Sequence, residues 1–299
     1  MTIRWRGHHH FDRISVDDLV GYGAQIKGIK YYVDVNHGKD TDSGSGWDKA
    51  WQTITHALSM GGDNAIIIVG SGLYIEGATL AITQNELKLF GVMSSGMTHG
   101  QPGIHSHGTE TLVTVNPTDV GMVEIANLGF HDQGAGKSLL IGDSKAAWRT
   151  HVHDCFFGGN GVALYGIDVG SLMDAPFPII EDCYFDNYVT GCINQNAFYS
   201  MVRRCLFIVR TNQKGIIYLP HGAGRPQGSI LSNKFVTTDS TDSIGVNVVN
   251  TPTPGMAMID DNHFVGFGAT KSIDATGATG KTGLMGLNYN GVTAVPIAT

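Results

Sequence analysis

The sequence predicts an all-β fold: a right-handed, single-stranded parallel β-helix of about ten coils, with a short helix capping its N-terminal end. Three observations predict it. A short phrase ending in phenylalanine returns six times at intervals of 22 to 29 residues, the stretches between are short β-prone runs bounded by Gly, Asn or Asp, and no amphipathic helix occupies the repeat. Composition agrees: 41 of 299 residues are Gly, roughly twice average usage, and only 15% are charged, too few for long solvated helical surfaces.

The phrase reads IANLGF ending at Phe130, HDCFF at Phe157, EDCYF at Phe185, RRCLF at Phe207, LSNKF at Phe235 and DDNHF at Phe264. Two residues before each Phe stand Leu128, Cys155, Cys183, Cys205, Asn233 and Asn262, and five before it stand Ile125, Val152, Ile180, Val202, Ile230 and Ile259. These columns and the Phe column are expected to face inward. Three before it stand Asn127, Asp154, Asp182, Arg204, Ser232 and Asp261, and four before it Ala126, His153, Glu181, Arg203, Leu231 and Asp260. That pair of columns reads as a polar corner between two short strands. A further strand per coil is expected at Leu139–Ile141, Leu164–Ile167, Cys192–Ile193, Ile216–Leu219, Val246–Val249 and Ser272–Ile273. Coils about 4.8 Å apart turn each column into a ladder of like residues, and parallel crossovers are right-handed by default. The cysteines read as small hydrophobes stacked inside, and Asn233 and Asn262 as the start of an internal asparagine ladder. With no CxxC pair among four Cys, neither a disulfide framework nor a zinc ribbon is indicated.

A solenoid exposes core and strand edges at its ends unless they are covered. Asp48 to Leu58 supplies a candidate cap helix, opened by Asp48 and presenting Trp51, Ile54 and Leu58 on one face. The chain then divides into an arm at 1–30 for assembly or anchoring, the β-helix at 31–282 and a Gly-rich tail at 283–299.

The opening of the helical part carries a resemblance. Tyr32-Val33-Asp34-Val35-Asn36-His37-Gly38-Lys39-Asp40, Gly44-Ser45-Gly46, Thr53-Ile54, Ala57-Leu58, Asn64 to Val69 and Gly72-Leu73-Tyr74 together resemble the start of the pectate-lyase-like right-handed β-helix superfamily, with strand, turn, cap helix and first core strand in order. The resemblance implies the fold and leaves function open, since that superfamily includes polysaccharide lyases, glycoside hydrolases and the tailspikes and appendages of phages.

Net charge is −7 with 19 Lys+Arg, which argues against a nucleic-acid-coating or electrostatically membrane-bound protein. The longest relevant apolar run, Ala65 to Val69, is too short to span a bilayer, and the first thirty residues show no secretory leader. A secreted lyase needs such a leader, whereas a phage protein leaves by lysis. Together with the modest length, this leads to the expectation of a virion structural protein of phage type, a capsid decoration, head-fibre or tail appendage. It would be a homotrimer contacting other virion proteins through Arg4, Trp5, Arg6 and Phe11, with an exposed flank that binds surface glycan and with no cofactor. The alternative is a polysaccharide lyase or glycoside hydrolase of tailspike depolymerase type. Lyases of this fold use clustered carboxylates with an arginine or lysine base, which here would be drawn from Asp154, Glu181, Asp182, Arg203 and Arg204.

Several other patterns carry less. Stacked acids and arginines also neutralise one another on a solvent-facing edge with no chemistry at all. His105 and His107 alternate along a strand and, from three chains about an axis, could give six nitrogens to one metal; His8 to His10 and His151 with His153 are weaker versions of that pattern. Asp40-Thr41-Asp42-Ser43-Gly44 has the alternating oxygens of a calcium loop, but Trp51 occupies its closing position and a plain turn is the better reading. Gly134 to Ser138 lacks the first glycine of a phosphate loop, so nucleotide binding is dismissed.

Overall fold

The computed structural model describes residues 28–92, 101–105, 108–118, 122–132, 134–142, 149–170, 177–196, 199–218, 226–239, 241–249, 256–268, 271–274, 287–290 and 293–294. Among the described residues, each coil from Ile66 to Asp274 contributes one short strand to each of three sheets. The first sheet has nine strands, from Lys30–Val33 through His151–His153, Ile179–Glu181 and Ser200–Arg203 to Met256–Asp260. The second runs from Leu73–Ile75 through Phe156–Gly158 and Tyr184–Asp186 to Tyr289–Asn290, where Thr293–Ala294 pairs antiparallel. The third has eight strands, from Leu80–Ile82 to Ile273–Asp274. Every other strand pairing is parallel between neighbouring coils, as a β-helix requires. The second sheet thus continues past residue 282 into the Gly-rich segment.

Each recurring phrase splits into a first-sheet and a second-sheet strand at its polar corner. The corner residues Asn127, Asp154, Asp182, Arg204, Ser232 and Asp261 all take left-handed backbone, with φ between 52° and 56°. One such residue between two extended strands redirects the chain. Asn and Asp tolerate this conformation best, which accounts for four of the six.

Inside the coils the columns align in register. Ile125, Val152, Ile180, Val202, Ile230 and Ile259 pair in order along the first sheet, all buried. On the second sheet Phe130, Phe157, Phe185, Phe207, Phe235 and Phe264 form one continuous stack, centroids 4.6–5.0 Å apart and planes within 9° of parallel. Phe267 closes it edge-on at 5.9 Å. The third sheet adds Val113, Leu139, Ile167, Ile193, Ile216, Val246 and Ile273. Beside the Phe stack, Cys155, Cys183 and Cys205 are buried free thiols, and burial holds the Cys183 thiol well above its usual range. The column passes into an asparagine ladder. Asn233 Nδ2 donates to Asn262 Oδ1 at 3.0 Å, Asn262 Nδ2 to Asn288 Oδ1 at 2.9 Å, and the same amides donate to the carbonyls of Val202 and Ile230.

The cap helix begins later than the sequence pattern suggests. It spans Ile54–Met60 with Thr53 as its N-cap, the Thr53 side chain accepting from His56 N, while Asp48 belongs to a single 3-10 turn at Trp47–Lys49. Trp51 lies outside the helix, bridged to Val33 and stacked on Tyr31 at 4.8 Å. The reason is Asp40, whose carboxylate accepts from Gln52 N (2.8 Å), Thr53 N (3.0 Å) and Thr53 Oγ1 (2.9 Å) and so keeps this stretch extended. Glu76 completes the cap by accepting from Ile54 N at 2.9 Å and Thr55 Oγ1 at 2.5 Å. Asp40 to Gly44 is therefore a structural turn: Gly44 has φ +67°, and a Cβ there would lie 2.7 Å from the Trp51 indole.

Two outcomes follow from this architecture. Phe185→Ala removes a ring stacked on both faces and is expected to cost about 3–5 kcal/mol in denaturant unfolding. Burial would raise the Asp40 carboxyl, but the Thr53 and Gln52 hydrogen bonds outweigh it and hold the group below its usual 3.8. Its stabilisation is then present above that value and lost as pH falls through the lower folded one. Asp40→Asn is expected to lower stability by about 1 kcal/mol at neutral pH, with the gap to the parent closing in acid.

Candidate functional site

Alternate residues of the first sheet face outward, and four coils load that face with titratable groups. Strand Glu124–Ala126 presents Glu124, the next presents His151 and His153, the next Glu181, and the next Arg203. Asp154, Asp182 and Arg204 follow at the left-handed corner. The sequence-predicted residues Asp154, Glu181, Asp182, Arg203 and Arg204 are thus brought to one surface.

Their hydrogen bonds are specific. Glu181 Oε2 accepts from Arg203 Nε at 2.5 Å and Arg204 Nη2 at 2.6 Å, and Glu181 Oε1 contacts His151 Nε2 at 2.8 Å. Arg204 also grips Asp182 with both Nε (2.9 Å) and Nη2 (2.6 Å). Burial would raise the Glu181 carboxyl, but Arg203 and His151 overcome it and bring it down to about 2. The Asp182 hydrogen bond holds the Arg204 guanidinium above its ordinary range, the opposite of what a base requires.

His153 lies between two acids, its Nδ1 2.8 Å from Asp154 Oδ2 and its Nε2 3.2 Å from Glu124 Oε1. Burial would lower this imidazole, yet the two carboxylates push it up to about 10. His151, 4.4 Å away between ring centroids, is lowered by burial and by the His153 charge, against the pull of Glu181. Burial also opposes ionisation of Glu124, but the His153 hydrogen bond and the neighbouring cations keep it below its usual value. Glu124, His151 and His153 each place a ligand atom within 4.8 Å of the others, the grouping among the described residues that could hold a metal ion.

At the other edge of this face, Phe177 and Tyr199 stand two residues before strand residues Ile179 and Met201. Their rings stack at 4.9 Å, 9° from parallel, and both are exposed. Both also have left-handed backbone, φ 63° and 52°, as does Arg149 at the same place one coil earlier. Bulky residues rarely adopt that conformation.

Glu124 and His151 are the site residues that the corner columns miss. Both stand six before a Phe of the repeat, one residue beyond the inward column, so extending the columns by one position finds them. His105 lies elsewhere, on the outward side of the second sheet, stacked on His131 at 4.6 Å, with burial lowering its imidazole. His107 and the arm residues Arg4, Trp5, Arg6 and Phe11 fall outside the described residues.

Among solved structures, the chain is similar to the rice weevil pectin methyl esterase, with TM-score 0.55 and 12% identity over 90% of this chain and 86% of that one. It is also similar to the pectin methylesterase from Aspergillus niger in deglycosylated form, with TM-score 0.52 and 15% identity over 88% and 84%. Its fold is the right-handed parallel β-helix. Pectate lyase Pel9A matches with TM-score 0.46 and 15% identity over 87% of this chain and 61% of that one. No protein-family model and no curated protein matches the sequence. At such identities the likeness carries the β-helix and none of the neighbours' chemistry.

Proposed function

We propose that this β-helix recognises a polysaccharide laid across successive coils of the first sheet, between the Phe177–Tyr199 edge and the Asp154–Asp182–Arg204 corner. The observation that carries this reading is the pairing of an exposed, left-handed aromatic strip with a ladder of fixed polar groups on the same coils. A saccharide has both apolar C–H ridges and hydroxyls. An aromatic strip suits the first, and planar guanidinium and carboxylate groups already locked in position suit the second, at little further ordering cost. The arginines here are paired with carboxylates, so hydrogen bonding rather than net attraction dominates, which favours a glycan of low charge. The similar pectin methylesterases show that a β-helix of this fold can serve a protein that acts on a polysaccharide.

Affinity electrophoresis against neutral and acidic polysaccharides tests this. Retardation by at least one neutral polymer is expected, persisting at about 0.5 M salt. In the doubly substituted Phe177→Ala/Tyr199→Ala protein it is expected to weaken about tenfold with an unchanged circular dichroism spectrum. A chain that no polymer retards would overturn the proposal.

Cleavage of the bound polymer is the second reading, favoured by three carboxylates, Asp154, Glu181 and Asp182, at one corner. Glu181 is held ionised, so its part would be charge stabilisation rather than proton donation. New reducing ends or unsaturated-uronate absorbance, abolished in Glu181→Gln, is what that reading requires. The setting proposed for either activity is the trimeric virion appendage, anchored through Arg4, Trp5, Arg6 and Phe11. Light scattering is expected to give a trimeric mass, and deletion of residues 1–30 to abolish particle association; a monomer that stays associated without them would remove that setting.

A further inference from the structure

Glu124, His151 and His153 form a set that glycan recognition does not need. His151 and His153 are alternate residues of one strand, so both imidazoles leave the same face, and Glu124 is the direct partner of His151 on the neighbouring strand. Two side chains two apart on a strand and a third across from them converge on one point above the sheet, and here the three ligand atoms lie within 4.8 Å of one another.

The surroundings of the two imidazoles point the same way. Asp154 Oδ2 holds His153 Nδ1 at 2.8 Å, and Glu181 Oε1 holds His151 Nε2 at 2.8 Å, with Glu181 itself pinned by Arg203 and Arg204. Each ring therefore has one nitrogen fixed by an outer carboxylate, while the other nitrogen of His153, Nε2, already faces the third candidate ligand, Glu124 Oε1, at 3.2 Å. Metal-ligating histidines almost always show this outer carboxylate, which sets ring orientation and raises ligand basicity. Lys88 pairs with Glu124 on the far side and opposes a cation, but three carboxylates, Glu124, Asp154 and Glu181, touch the two imidazoles.

We propose that Glu124, His151 and His153 bind a divalent transition-metal ion of the zinc class on the outward face of the first sheet. Two imidazoles and one carboxylate suit Zn²⁺, Co²⁺ or Ni²⁺ rather than Ca²⁺ or Mg²⁺, which take oxygen ligands. Three protein ligands leave a tetrahedral ion one position for water or another small ligand, the pattern of reactive rather than purely structural zinc sites. The inference stands independently of what polymer the face recognises.

The test uses full-length protein carrying His8→Ala, His9→Ala and His10→Ala, so that the N-terminal histidines contribute nothing, stripped with chelator and titrated with Co²⁺ and then Zn²⁺. Expected are one Co²⁺ per chain, visible absorption bands of a low-symmetry site, and their loss when Zn²⁺ displaces the cobalt. Affinity is expected to fall at least about tenfold in Glu124→Gln and in His151→Gln, and about 10- to 100-fold in Asp154→Asn. Arg210→Gln, which breaks only the Asp186 pair on the second sheet, is expected to leave it unchanged. X-ray absorption of the zinc-loaded protein is expected to show two imidazoles per zinc, a readout that does not depend on any variant folding. No uptake up to about 1 mM metal, uptake unaltered in all three ligand-region variants, or fewer than two imidazoles per zinc would each overturn the proposal.

Discussion

The stacking of one coil on the next at the spacing of hydrogen-bonded strands governs the rest of this molecule. Once neighbouring coils pair in parallel, a side chain sits directly over its counterpart about 4.8 Å away, whatever that counterpart is. The phenylalanine stack shows how strongly this acts. Isolated aromatic pairs take either offset-stacked or edge-on contacts; here all six rings take the stacked one, centroids 4.6–5.0 Å apart, and Phe267, outside the ladder's register, packs edge-on. The backbone pitch sets that geometry and the rings fill it.

The same constraint has opposite consequences inside and outside. Inside, like stacks on like: Phe on Phe, Ile on Val, Cys on Cys, and Asn on Asn, where each amide can both donate and accept along the ladder. Outside, like charges a strand spacing apart would repel, so an acidic coil is followed by a basic one. On the first-sheet face and its corner, Glu181 and Asp182 meet Arg203 and Arg204 of the next coil. Exposed pairs of this kind add little stability. What they do supply is a set of planar polar groups held in fixed positions, which is why the face is prepared for a ligand. The carboxylates gripping Arg204 also hold its guanidinium protonated, against the part of a base.

Strain concentrates where the coils turn onto and off the first sheet. The corner column tolerates left-handed backbone cheaply at Asn127, Asp154, Asp182 and Asp261, and Arg204 is compensated by its grip on two carboxylates. Arg149, Phe177 and Tyr199 have no such intrinsic ease, and two of them form the exposed aromatic pair. Among the described residues, costly backbone beside a prearranged polar ladder marks this face.

The fold class, the inward columns, the asparagine ladder and the polar corner were legible in the residues alone, because every coil repeats them at a constant offset from its phenylalanine and a constant offset is a spatial column in any solenoid. The start of the cap helix was not, since Asp40 and Glu76 reach it from 13 and 22 residues away in sequence and override the local pattern at Asp48. Nor was the convergence of Glu124 on His151 and His153, or the stacking of Phe177 on Tyr199. Their positions in the repeat could be counted, but which side chains touch depends on the register between coils and on backbone twist at the turns. Only the folded chain decides these, because they arise from contacts between coils rather than from the order of residues within one.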